Sequence, residues 1–236
     1  MKALLDNRFA PITFSWGFVE APFEEYSTAF ISWWNQLSIS FNSVGFDEDF
    51  SKALLRLEPL QSPQNRYLIV ETKSRWTAIF SNGLRANDVA SPVGHLSKIL
   101  NCRGVRVCCI PDRSELENRS DALQIYGCVA FVLHGSVTTG PLNDVRQVSV
   151  MNDGGEWKFT LLGEAQPYEQ VTQYSQPRIR DRFTSEMLES YCAALGIQAF
   201  DSKFYGLRGV LLDKLTKLPN VSPQMSTADA RAKLYL

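Results

Sequence analysis

Apolar residues recur at three- and four-residue steps through Phe23, Tyr26, Phe30, Trp34, Leu37 and Phe41. That spacing predicts a helix opened by Pro22, with one face turned to a core. Just before it, Ile12, Phe14, Trp16 and Phe18 alternate with other residues across 12–19, the period of a half-buried strand. A second helix is predicted over 47–57. Phe50, Ala53, Leu54 and Leu57 share its apolar face, and Asp47, Glu48 and Asp49 crowd its electropositive N-terminal end. Residues 59–65 form a loop. RYLIVET and RWTAIFSNG follow as two strands around Lys73-Ser74. Ser91-Pro92 reads as a helix start, with Ser as cap, and the helix runs to about Cys102 with Gly104 as its left-handed stop. VRVCCI is a strand, and YGCVAFVLH reads as a central strand covered on both faces.

The strongest local signal is VSVMNDGGEWKFTLL. Its two strand-like runs flank an Asp-Gly pair that suits a tight hairpin turn. Farther on, Thr184 caps a helix over 184–195 whose stripe is Met187, Leu188, Tyr191 and Leu195, and Gly196 stops it. A short helix is predicted near 201–214, then a linker punctuated by Pro219 and Pro223. A last helix follows, where Ser226 and Asp229 have capping-box spacing. Strands outnumber helices and do not alternate with them regularly. The reading is therefore α+β: a mostly antiparallel sheet of about seven strands with helices packed on at least one face. The 236 residues form a single α+β domain, in which 1–60 supply a strand and an aromatic helix pair, 61–196 the sheet core and 197–236 C-terminal helices.

Composition narrows the function. Lys and Arg number 24 against 25 Asp and Glu, which gives no basic excess for nucleic acid. No apolar run approaches the ~18 residues of a membrane span, and the first residues lack the apolar core of a secretory signal. A soluble cytoplasmic protein is expected. Mass scaling predicts about 11,000 Å² of exposed surface, enough burial for a core without staples. The five cysteines (Cys102, Cys108, Cys109, Cys128, Cys192) are odd in number and show no C-x-x-C, as expected of buried thiols in a reducing compartment.

Two histidines, His95 and His134, are too few for a His-rich metal site. No phosphate-binding glycine loop, dinucleotide fingerprint or nucleophile elbow is present, so neither a catalytic residue, a metal nor a cofactor is assigned. Two constellations remain. Arg178, Arg180 and Arg182 alternate in QPRIRDRF. In extended chain they point one way and suit an anion such as a phosphate, with Tyr174 or Glu169 nearby. The alternative is that they pair with internal acids such as Asp181, Glu169 or Glu186. The second constellation is acidic. Residues 1–60 hold eight acids and four bases. Glu20, Glu24, Glu25, Asp47, Glu48 and Asp49 form a rim around the aromatic helices, fit to steer a basic partner, unless they only satisfy helix starts. Trp33 lies off the apolar stripe and is the candidate aromatic anchor.

WTAIFSNG, YGCVAFVLH, NDGGEWKFTLLGEAQPYE and RDRFTSEMLESYCAALGI, taken in order, resemble a bacterial protein family of uncharacterised activity, over roughly the last two-thirds of the chain. The resemblance implies a cytosolic accessory protein, a class in which immunity proteins against contact-delivered toxins are common. The expected function is a binding protein of that type, occluding a basic toxin domain. The alternatives are a motif-less hydrolase or transferase acting on a phosphorylated or nucleotide-like ligand, and a structural subunit of a larger assembly.

Overall fold

The computed structural model describes residues 1–84, 89–116, 122–123, 125–135, 143–215 and 224–236. Its elements run β1 (Ser15–Val19), α1 (Phe23–Gln36), β2 (Phe41–Asp47), α2 (Phe50–Leu55), β3 (Arg66–Thr72), β4 (Thr77–Ser81), α3 (Ala90–Ile99) and β5 (Gly104–Ile110). They continue with β6 (Cys128–His134), β7 (Asp144–Asp153), β8 (Glu156–Leu162), α4 (Ser185–Ala194), β9 (Tyr205–Lys214) and α5 (Thr227–Leu234), with short 3-10 turns between. All nine strands join one sheet in the order β2-β9-β3-β4-β1-β5-β6-β7-β8. Every neighbouring pair is antiparallel. The α+β class and the antiparallel sheet agree with the sequence pattern, with nine strands among the described residues where about seven were expected.

Both faces of the sheet are covered. On one face, Trp16, Phe18, Leu68, Phe80, Val107 and Phe131 pack against residues of α2 and α4. On the other, Ile69, Ile79 and Val210 pack against Tyr26, Phe30 and Trp34 of α1 and Val93 and Leu96 of α3. The accessible surface is 10977 Å², close to the value mass scaling gives.

The departures from the sequence pattern share one cause, tertiary pairing overriding local spacing. Residues 12–14 form a 3-10 turn, and β1 is buried on both faces because it lies mid-sheet. Helix α1 stops at Gln36, and Ser38 takes φ 54°. Phe41 still meets Trp34, at 5.3 Å between ring centroids, but from strand β2 folded back alongside. Asp47 therefore ends a strand, and α2 covers only 50–55, with Asp49 before it making no side-chain cap. Helix α3 begins at Ala90 after Val89, so Ser91 lies inside it. Its left-handed stop is Asn101, and Gly104 opens β5. The segment read as a helix over 201–214 is a 3-10 turn followed by β9, so the C-terminal part is not wholly helical. Gly206 and Gly209 weaken a helix there, while Val210 and Leu212 alternate onto the α1 face. In the hairpin, Asp153 pairs with Glu156, and Gly154 (φ 62°) and Gly155 (φ 97°) make the turn. The linker at Pro219 and Pro223 lies outside the described residues.

Helix α3 sits on two glycines. A Cβ on Gly17 would lie 2.3 Å from Val93 Cγ2, and one on Gly104 would lie 2.8 Å from Val93 Cγ1. Gly17→Ala is expected to destabilise the fold by about 1–3 kcal/mol through overpacking. Adding Val93→Ala should recover part of that loss in urea unfolding, and a double variant no more stable than Gly17→Ala would show that the clash lies elsewhere.

Candidate functional site

The predicted acids meet at one end of the sheet. There β1 runs out into Glu20, α1 begins with Glu24 and Glu25, β2 ends at Asp47, and Glu48 and Asp49 lead into α2. The chain also brings arginines to this end. Glu20 is held by Arg103 at 2.6 Å and by Arg75 at 2.7 Å. The bond from Arg103 lowers its pKa against the opposing effect of burial. Arg208, opposite Asp47 in the β2–β9 ladder, reaches Glu24 at 2.5 Å and Glu71 at 3.0 Å, and lies 4.7 Å over the Phe23 ring. Arg56 pairs with Glu48. Among the described residues, Glu25, Asp47 and Asp49 have no ion-pair partner, and all three are exposed. The rim is therefore a mixed-charge end with three unneutralised acids.

Trp33 is set apart from that rim. It is half-buried on the seam between α1 and α3, with centroids 5.5 Å from Phe30 and 4.7 Å from His95. Nine residues of helix place it roughly 13 Å along α1 from Glu24. Beside the rim, a groove of about 500 Å³ runs between Phe23, Ser27 and Ile31 of α1 and Ser43, Gly45 and Asp47 of β2. Strand β2 is an outer edge of the sheet. Residues 42–45 are exposed, Val44 at 48%, and Asp47 is its one charged residue. Edge strands usually carry Lys, Pro or a bulge that blocks further pairing, and FNSVGFD has no Lys or Pro. FNSVGFD has no steady alternation of apolar and polar residues, and the helical stripe ending at Phe41 ran into it, so the strand left little signal in the sequence.

The three arginines divide. Arg178 and Arg180 are exposed, with no ion-pair partner among the described residues, and line a groove of about 540 Å³ with Trp157 and Glu156 of β8. Arg182 donates to the Gln176 carbonyl at 2.8 Å and lies 5.8 Å over the Phe159 ring. Residues 179–181 form a 3-10 turn, so the alternation does not come from extended chain.

Glu169 and Tyr174, the expected companions of those arginines, are turned elsewhere. Arg146 of β7 forks onto Glu169 with bonds of 2.9 and 2.7 Å, and both side chains are almost fully buried. Tyr174 donates to Glu169 at 2.7 Å and touches the Tyr191 hydroxyl at 2.8 Å, while Arg146 also donates to the Gly163 carbonyl at 2.6 Å. This network ties the 163–175 loop to β7 and α4 as a structural lock. Glu169 is thus held by Arg146 and pairs with none of Arg178, Arg180 and Arg182.

The thiols are structural in surroundings. Cys108, Cys109, Cys128 and Cys192 are buried, and desolvation pushes Cys109 up to about 12. Among the described residues no three metal-ligating side chains come together, and no helix is long and apolar enough to cross a membrane. No family model, curated protein or solved structure matches the chain.

Proposed function

We propose that the chain is a cytoplasmic binding protein of toxin-immunity type, which holds a basic partner domain at the β2 edge and covers its working surface. The observation that carries this reading is the β2 edge, which no described residue pairs and which holds no Lys or Pro, lying beside a groove and the acids Glu25, Asp47 and Asp49, which have no ion-pair partner among the described residues. An open edge offers main-chain donors and acceptors to an added strand, and alternate side chains of that strand reach the groove. Acids at one end of the edge speed encounter with a basic surface and fix its direction.

Gly45 supplies the test. A Cβ there meets only the Gly209 carbonyl oxygen, at 4.0 Å, so a large side chain is accommodated and fills the groove. Gly45→Trp is expected to leave stability within about 0.5 kcal/mol of the parent. It should weaken the complex more than about 30-fold, the scale of a hot-spot loss. Native mass spectrometry of the chain with the purified products of the genes beside its own measures both stoichiometry and loss. Absence of any stoichiometric complex, or a complex indifferent to Gly45→Trp, refutes the reading.

A further inference from the structure

We infer that the opposite edge of the sheet, strand β8 with Arg178 and Arg180 beside it, takes an extended acidic peptide segment by strand addition. This site is separate from the one at β2. Eight inter-strand steps of ~4.8 Å put the two edges roughly 38 Å apart, beyond the reach of one short segment.

Three observations converge on β8. First, among the described residues it is the terminal strand on its side, and five of its seven residues are exposed, with Trp157 and Phe159 half-buried between them. Leu161 (45%) and Leu162 (51%) offer apolar contact on alternate faces. Second, Arg178 and Arg180 stand across the groove from Trp157 with no ion-pair partner among the described residues. Guanidinium groups bind carboxylates in a planar fork, and an arginine left facing a groove favours an acceptor that arrives with the ligand. Third, their position is fixed in advance. Arg182 anchors the turn by its bond to Gln176 and its seat over Phe159, so the groove does not have to be ordered on binding. Lys158 on the same strand is paired with Asp153 at 2.5 Å, so the uncompensated positive charges beside this edge are those of Arg178 and Arg180. Glu156 faces the groove at the hairpin end, so the acids of the ligand are confined to the Arg178–Arg180 side.

The test uses the full chain and a fluorescein-labelled eight-residue peptide alternating glutamate and valine, read by fluorescence anisotropy. Binding is expected, weakening as salt rises. Replacing both arginines, Arg178→Ala with Arg180→Ala, should weaken it at least tenfold while the melting temperature stays put. A peptide of the same sequence N-methylated at alternate residues should also bind at least tenfold more weakly, because it lacks the main-chain donors of an added strand. Gly45→Trp should bind the peptide as the parent does, which separates this site from the one at β2. No binding, equal binding by a lysine–valine peptide, indifference to the arginines or indifference to N-methylation each overturns the inference. Full displacement by millimolar inorganic phosphate also overturns it, making the groove a phosphate site instead.

Discussion

Glu169→Ala is expected to cost about 3–5 kcal/mol of folding stability, because it leaves the Arg146 guanidinium buried without its carboxylate. The loss also frees the Tyr174 hydroxyl from its acceptor and loosens the 163–175 loop from β7. Urea unfolding measures it directly, and a loss under about 1 kcal/mol would mean that water replaces the carboxylate, so that the pair is not enclosed. The lock carries a pH signature as well. Burial acts to raise the Glu169 pKa, but the bonds from Arg146, the Gln166 amide and Tyr174 outweigh it, and the folded value is lowered. A lowered folded pKa means that ionised Glu169 stabilises the fold in full above the ordinary glutamate value of about 4.3. That contribution disappears as pH falls through the lower folded value. Glu169→Gln should therefore show a flatter loss of stability on acidification than the parent, and equal slopes would remove Glu169 from the acid response.

Trp76→Ala is expected to destabilise by a similar amount, about 3–5 kcal/mol. The indole is 1% exposed, its N–H donates to the Leu195 carbonyl at 2.9 Å, and Arg103 lies 5.6 Å over the ring. One side chain thus joins the approach to β4, the end of α4 and the arginine that holds Glu20. Trp76→Phe keeps most of the packing and gives up the hydrogen bond, so its cost should be nearer 1–2 kcal/mol. Equal costs for the two variants in urea unfolding would assign the effect to the hydrogen bond alone, contrary to the burial argument.

The candidate surfaces were only partly legible in the residues. The acids at one end could be named from the chain, and the fold gathers them there. Their neutralisation could not be read, because Arg75 of the β3–β4 turn, Arg103 just before β5 and Arg208 of β9 lie 55 or more positions away from Glu20 or Glu24. The alternating arginines were visible, but their division was not. Arg182 is taken up by a carbonyl and a ring, while Arg178 and Arg180 are left facing the groove, and a 3-10 turn decides which is which. The spacing shows Trp33 off the buried stripe, but only the placement of α3 shows that His95 packs against it.

Where structure is local, the residues alone determined it. Helix α4 follows from Thr184, whose hydroxyl accepts from the Met187 amide, and from Gly196 at φ 81°, because a cap and a left-handed stop need only neighbours within a turn. The capping box of Ser226 and Asp229 follows for the same reason, as does the hairpin, although its turn falls one residue beyond the Asp-Gly pair, at Gly154-Gly155. Tertiary structure decided the identity of β2 and β9. Each is stabilised by the other, and their partners lie more than 160 residues apart. A strand gains its hydrogen bonds from whatever lies beside it, so 41–47 and 205–214 could become strands only once the rest of the sheet had put them side by side.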